Sequence, residues 1–133
     1  MDGYPTEAEP ALHPLDMTPA QRMLEMNRVG EEVDAGRHWS YEMRPGCVLR
    51  IDIDGEHGSF PSLDLPLLGA EVKINPDKEE GTFEVTIQRR DAPSEKGWAV
   101  LESRRWGDVS WMQLLLRVAQ KECVDVVGNS QGR

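Results

Sequence analysis

Residues 70–106 read AEVKINPDKEEGTFEVTIQRRDAPSEKGWAVLESRRW, and this stretch decides the fold of the 133-residue chain. Three runs in it alternate apolar and polar residues with a period of two, which is typical of β-strands with one buried face. Turn-forming residues separate the runs at 76–81 and at 91–97. The pattern therefore predicts an antiparallel three-strand meander.

One register brings the apolar residues of the three runs to a common face. It places Asn75 opposite Thr82 and Arg90 opposite Trp98. Because a slip by one residue would turn every side chain to the other face, a buried face fixes the parity. On the polar face this register predicts a row of Lys73, Glu84 and Arg104, with the carboxylate between two cations. The apolar pairs that it predicts are Ile74 with Phe83, Val72 with Val85, and Ile87 with both Ala70 and Leu101.

A helix is predicted to begin at the capping box of Thr18 and Gln21, with Pro19 at its first position. Four residues at spacings of three and four form its apolar stripe, and Gly36 is well placed to end it. The stripe consists of Met23, Met26, Val29 and Val33. Residues 38–44 and 47–54 then alternate around the turn residues Pro45 and Gly46, which predicts a hairpin.

A second helix is predicted after the meander, where Ser110 and Gln113 form another capping box. Its apolar stripe is broad and indicates deep burial against the apolar face of the meander. Between the hairpin and the meander, residues 55–69 are rich in Gly, Pro and Ser. A loop of this length predicts either a functional segment or a concealed element.

These patterns predict an α+β fold. It has an antiparallel sheet of about five strands, made of the hairpin and the meander, with an N-terminal and a C-terminal helix in a two-layer sandwich. The predicted organisation is a flexible acidic, Pro-rich tail over 1–16, a single α+β domain over 17–127 and a flexible tail over 128–133.

The amino-acid composition limits the kinds of partner that the protein is expected to bind. A net charge of −9 and a pI near 4.8 argue against direct nucleic-acid binding, which needs clustered Lys and Arg. The first ten residues lack the basic and apolar regions of a signal peptide, and no apolar run is long enough to cross a membrane, so a cytoplasmic protein is expected. Cys47 and Cys123 lie far apart at apolar positions and are expected to be separate, small buried residues.

The chemically most suggestive segment is residues 52–57. Asp52 and Asp54 share one face of a strand, and a hard cation such as Mg²⁺ or Ca²⁺ would bridge them with help from Glu56 or His57. An apolar strand ending in Asp-x-Asp-Gly resembles the first motif of the haloacid-dehalogenase-like phosphotransferases. That resemblance implies that Asp52 is the nucleophile and Asp54 the general acid/base, on a parallel sheet. The segment also resembles the start of an EF-hand loop, but the twelfth position from Asp52 is Leu63 rather than Glu.

The residues favoured for binding lie on the polar face of the meander. Exposed tryptophans beside arginines are the residue types that dominate protein interfaces. The predicted binding set is Lys73, Glu84, Arg90, Trp98, Arg104 and Trp106.

The expectation is therefore a small acidic module that binds another protein and has no catalytic activity or cofactor, such as an inhibitor, an immunity-type protein or a secretion chaperone. In size, acidity and helix-flanked sheet the chain resembles bacterial type III secretion chaperones, although those carry a helix where this chain has residues 55–69. Two alternatives stay open: metal-dependent phosphotransfer or hydrolysis at Asp52 and Asp54, and acidic mimicry of nucleic acid. Self-association as a homodimer is also left open.

Overall fold

The structure, a computed structural model, describes residues 12–33, 36–55, 58–91 and 97–131, with side chains as far as Cys123. Within these ranges the α-helices are α1 (Pro19–Glu32) and α2 (Trp106–Gln131). The strands are β1 (Arg37–Arg44), β2 (Val48–Gly55), β3 (Gly58–Ser59), β4 (Leu63–Pro66), β5 (Ala70–Asp77), β6 (Thr82–Arg89) and β7 (Trp98–Ser103). A short 3₁₀ helix, Pro14–Asp16, precedes α1.

The predicted α+β class, with a helix at each end and antiparallel strands, is confirmed. The strands form two sheets rather than one sheet of about five. The first sheet has the order β1-β2-β3, with β4 also paired to β2, and the second has the order β5-β6-β7. The segment 55–69 therefore conceals two short strands, one of the two outcomes that the sequence left open.

The first sheet turns one apolar face inward. β1 and β2 pair as the predicted hairpin, with Trp39 opposite Ile53 and Tyr41 opposite Ile51. β4 continues this face, because Leu65 stands opposite Leu49. These residues belong to a single core cluster that also includes residues of β5, β6, β7 and both helices.

The predicted register of β5 and β6 is wrong by two residues, although its parity is right. Asp77 pairs with Thr82, and Val72 therefore faces Ile87. The reason lies in the turn: the Asp77 carboxylate accepts the N–H groups of Glu79 and Glu80 at 3.1 Å, and the Asp77 carbonyl accepts the N–H of Gly81. This Asx-type closure shortens the loop to four residues. Pro76 is consequently inside β5, which is tolerated because β5 is an edge strand.

A β-bulge changes the pairing of β6 with β7. Val85 faces Leu101, but the next residue, Thr86, faces Ala99, so Val100 is the extra residue. The predicted pairing of Arg90 with Trp98 is therefore wrong. Before the bulge the register is shifted by two residues, since Val85 faces Leu101 instead of Ser103, and beyond it by three, since Ile87 faces Trp98 instead of Leu101. Bulges of this kind re-aim side chains, and here Trp98 is turned to the apolar side of the sheet.

The helices match the sequence patterns to different degrees. The capping box of Thr18 and Gln21 is confirmed, with both reciprocal hydrogen bonds present. The second capping box is wrong, since α2 begins at Trp106, four residues before Ser110. Gln113 instead donates to the carbonyl of Val72. α2 also extends to Gln131, into the segment where the sequence predicted a C-terminal tail from 128.

Each helix covers one edge of a sheet with polar side chains, which bond to the backbone of the edge strand. On β1, the Asn27 side chain of α1 accepts the N–H of Tyr41 at 2.7 Å and donates to its carbonyl at 3.0 Å. On β5, Gln113 and Arg117 of α2 donate to the carbonyl of Val72. Groups that would otherwise be open to another strand are thereby satisfied.

The expectation of two separate cysteines is wrong. Cys47 and Cys123 form a disulfide with a Cα–Cα distance of 5.7 Å across a sequence separation of 76 residues. Sequence spacing carries no information about such a bond, because the hairpin turn and α2 are brought together only by the tertiary fold. The bond ties the β1–β2 turn to α2.

A buried arginine holds the N-terminal segment in place. Arg22 of α1 is 2% exposed and donates to the carbonyls of Pro14 and Met17, both at 2.9 Å. Its guanidinium also binds Glu122 of α2 at 2.5 Å. Residues 12–16, predicted to belong to the flexible tail, are thus packed against both helices. The rest of that tail, 1–11, lies outside the described residues.

Candidate functional site

Trp98 marks the principal candidate site. The indole begins β7 opposite Ile87 and is 53% exposed. Because the bulge turns it to the apolar side, it does not share a face with Lys73 and Glu84, as the sequence predicted. It lies beside β4, a strand of the other sheet.

A groove of about 280 Å³ separates Trp98 from β4. Its floor is apolar, since Leu65 and Ile87 are buried and Leu63 is half-buried. Among the described residues, the lining consists of Leu63, Asp64, Leu65, Pro66, Ile87, Arg89 and Trp98. One wall is the whole of β4 and the other is formed by the ends of β6 and β7.

The rim of the groove is charged. The Arg89 guanidinium donates to both carboxylate oxygens of Asp91, at 3.0 and 2.9 Å. This hydrogen bonding lowers the pKa of Asp91 below its ordinary value, so the pair is ionised at neutral pH. Asp64 adds a negative charge on the opposite wall.

The backbone of β4 presents hydrogen-bonding groups on its outer side. The N–H of Leu67 bonds to the carbonyl of Cys47, which fixes the phase of the ladder between β4 and β2. Since these groups alternate along an antiparallel pair, the backbone groups of Asp64 and Pro66 point away from β2. This edge therefore offers the N–H of Asp64 and the carbonyls of Asp64 and Pro66, while proline has no N–H to offer.

The other predicted binding residues are distributed over the molecule. Trp106 begins α2 beyond the opposite end of β7 and is 56% exposed. Its ring packs edge-to-face with that of Phe83, with the ring centroids 5.3 Å apart. Lys73 faces Thr86, and Glu84 faces Asn75 and Glu102, on the polar side of the second sheet. Arg90 follows β6 and its N–H bonds to the carbonyl of Gly69, whereas Arg104 is exposed after β7. The six residues do not form one surface.

The predicted row of Lys73, Glu84 and Arg104 is wrong because of the two-residue shift. Glu84 stands directly opposite Glu102. Partial burial, with the charges of Glu102 and Asp77, raises the pKa of Glu84, and Arg37 opposes this effect. The polar face therefore carries a repulsive carboxylate pair where the sequence predicted an attractive row.

Asp52 and Asp54 do share a face, and they line a second, more polar pocket of about 490 Å³. Ser62 donates to Asp52, and Ser59 donates to Asp54 at 3.2 Å. His38 faces Asp54 across β1 and β2, and its Nδ1 lies 2.9 Å from the carbonyl of Glu31. The sequence prediction of this site did not include His38, Ser59 or Ser62. The hairpin was predicted without a register, and the structure supplies the pairing of His38 with Asp54.

The metal site stays a prediction. Glu56 and His57, the two further ligands that the sequence suggested, lie outside the described residues. Within the described ranges, no three His, Cys, Asp or Glu side chains come together as a metal site requires. The strand pairings described are antiparallel, which differs from the parallel sheet implied by the resemblance to the phosphotransferases.

Comparison of the chain with protein-family models, curated proteins and solved structures found no match. In the part of the chain that the structure covers, neither helix has both the length and the apolarity to cross a membrane. Function therefore has to be argued from the geometry of the groove beside Trp98 and of the pocket at Asp52 and Asp54.

Proposed function

We propose that the protein is a non-catalytic binding module that holds an extended segment of a partner protein in the groove beside Trp98. The observation that carries this proposal is a half-exposed tryptophan over an apolar groove between two sheets. Tryptophan and arginine are enriched among the few residues that contribute most of the binding energy at protein interfaces. The inhibitor, immunity-type and chaperone-like roles expected from the sequence are all versions of this activity.

The dimensions of the groove favour a peptide over a small molecule. Pockets that enclose a drug-sized ligand have volumes of about 300–1,000 Å³, and this groove lies just below that range at about 280 Å³. It suits one or two apolar side chains. Leu65 and Ile87 provide the apolar floor for them, and the indole of Trp98 provides a flat wall.

The edge of β4 favours an extended backbone. An edge strand binds a peptide by main-chain hydrogen bonds, while adjacent pockets select alternate side chains. Asp64 supplies one N–H and one carbonyl on that edge, and Pro66 limits how far the pairing extends. We therefore expect a short segment of about three or four residues to pair with β4.

The remaining sequence expectations stay predictions. The metal-dependent reaction stays an alternative, supported by the shared face of Asp52 and Asp54 and by the polar pocket that they line. The mimicry of nucleic acid stays an expectation from the net charge. A cytoplasmic location is proposed from the sequence alone, and the Cys47–Cys123 bond counts against it, because disulfides persist mainly in oxidising compartments.

Selection from a random-peptide display library tests the proposal. The full-length protein is immobilised, and the enriched peptides are then titrated against wild type, Trp98→Ala and Trp106→Ala. Trp106 is the matched control because it is equally exposed but lies away from the groove. We expect enriched peptides with an apolar residue, bound at least about tenfold more weakly by Trp98→Ala, the scale of a lost hot-spot residue.

Unchanged binding by Trp106→Ala is part of the expected result. No enrichment, or equal loss of affinity in both tryptophan variants, would contradict the proposal. Near-native thermal unfolding of Trp98→Ala establishes that weaker binding does not reflect a failure to fold.

A further inference from the structure

We propose that the Cys47–Cys123 disulfide is a redox switch that controls the groove beside Trp98 by fixing its β4 wall. That the switch controls binding rests on the proposed function of the groove. Whether the bond holds β4 in place does not depend on any ligand and can be tested separately.

The first observation is the backbone of Cys47. It is the non-glycine residue with positive φ among those described, at +61°, and it is 7% exposed at the tip of the β1–β2 hairpin. Residues other than Gly, Asn and Asp rarely adopt this left-handed conformation, and they keep it when surrounding contacts impose it. The bond to Cys123 is such a contact.

The second observation is that the backbone of Cys47 anchors the corner between β4 and β5. Its carbonyl accepts the N–H of Leu67 at 3.0 Å, at the corner between β4 and β5. From the other side of this corner, the Gln120 side chain of α2 donates to the carbonyls of Leu67 and Ala70, at 2.6 and 2.7 Å. Cys123 follows Gln120 by three residues and therefore lies next to it on the helix surface. The disulfide closes a ring through the hairpin tip, the corner and α2.

The third observation is the weak anchorage of β4 itself. This strand has four residues, and within the described ranges it pairs with β2 alone. The C-terminal end of β4 leads directly into the corner at Leu67, which bonds to Cys47. The position of the groove wall therefore depends on the ring that the disulfide closes. Without the bond, Cys47 is free to leave the left-handed conformation, and its carbonyl no longer faces the N–H of Leu67.

The chemical step is thiol–disulfide exchange. A dithiol reductant attacks one sulfur, a mixed disulfide forms and is resolved by the second thiol, and Cys47 and Cys123 are released as two thiols while the reductant becomes a disulfide. Cys123 is partly exposed, whereas Cys47 is buried. Oxidation by a disulfide of the same class reverses the step.

Hydrogen–deuterium exchange of the full-length protein tests the switch. Oxidised protein, protein reduced with dithiothreitol and the Cys47→Ala, Cys123→Ala double variant are labelled at times too short for global unfolding. We expect amides in residues 63–68 to exchange at least about tenfold faster when the bond is absent, as for local opening of a weakly held unit. Amides of β6, the central strand of its sheet, exchange by global unfolding and should stay unlabelled within these short times in all three samples.

Two results would overturn the inference: equal protection of residues 63–68 in all samples, or two free thiols in protein purified without reductant. Equal labelling of β4 and β6 within these short times would overturn it as well, because β4 would then open only together with the whole domain. Peptides selected on oxidised protein should bind the reduced form more weakly, and equal affinity would remove the link to the groove. If the library yields no peptide, the proposed function fails, while the exchange result still decides whether the bond holds β4.

Discussion

At the scale of single residues, Glu84 is the position where the polar face differs most from its sequence prediction. Its carboxylate faces Glu102 across β6 and β7, and a like-charge pair of this kind destabilises by roughly 0.2–1 kcal/mol. Partial burial and the charges of Glu102 and Asp77 raise the pKa of Glu84. A carboxyl group whose pKa is raised by folding destabilises the folded state when it is ionised, and this effect disappears below the pKa of the unfolded chain.

Glu84→Gln is therefore expected to raise the melting temperature at pH 7, by about 1–3 °C for a domain of this size. The gain should shrink as the pH falls and vanish below about pH 4, where both states of the wild-type carboxyl are protonated. Differential scanning fluorimetry from about pH 3 to 8 measures it. Glu79→Gln, in the exposed turn of the same hairpin, is the control and should change little. A lower melting temperature for Glu84→Gln at pH 7 would mean that a cation stabilises this carboxylate after all.

At the scale of elements, the docking of α1 on the edge of β1 depends on a glycine. A Cβ atom added to Gly30 would lie 2.2 Å from the carbonyl oxygen of Trp39. One turn earlier, Asn27 bonds to the backbone of Tyr41. The helix can thus satisfy the edge of β1 only because nothing larger than hydrogen separates the two backbones.

Gly30→Ala is expected to lower the free energy of unfolding by about 1–3 kcal/mol, the usual effect of overpacking a tight contact. This loss outweighs the gain in helix propensity of about 1 kcal/mol that alanine brings. Urea denaturation measures both variants. Gly107→Ala in α2 is the control, because open space surrounds that position, and it should be neutral or slightly stabilising. Equal effects of the two substitutions would show that helix propensity, and not the close approach of α1 to β1, determines the change in the free energy of unfolding.

The sequence predicts most of the strands and the buried face of each, but not the exact pairing between strands. Alternation gave the strands and their parity, since a buried face rejects a slip by one residue. Alternation cannot reject a slip by two residues, because such a slip keeps every side chain on the same face. The register of β5 and β6 is instead set by the hydrogen bonds of Asp77 in the turn. The bulge at Val100 arises from pairing and not from any local signal. β4 is too short, at four residues, for periodicity to reveal it, so the groove that it forms with Trp98 was not predictable.

At the scale of the whole molecule, the disulfide determines how much of the stability depends on the redox environment. A bond between residues 76 positions apart closes a long loop in the unfolded chain, and such bonds typically contribute about 2–4 kcal/mol. Reduction is therefore expected to lower the free energy of unfolding by that amount, measured by urea denaturation with and without dithiothreitol. The Cys47→Ala, Cys123→Ala variant should match the reduced wild type and should not respond to the reductant.

This measurement also bears on where the protein works. If the reduced form keeps a cooperative unfolding transition, the domain is folded under the reducing conditions of the cytosol. The bond then controls β4 but is not required for the fold. If the reduced form is unfolded at 37 °C, the cytoplasmic prediction fails, because disulfides are rare in a reducing compartment. A change below about 0.5 kcal/mol on reduction would contradict a stabilising bond, since exposed substitutions alone cause changes of that size.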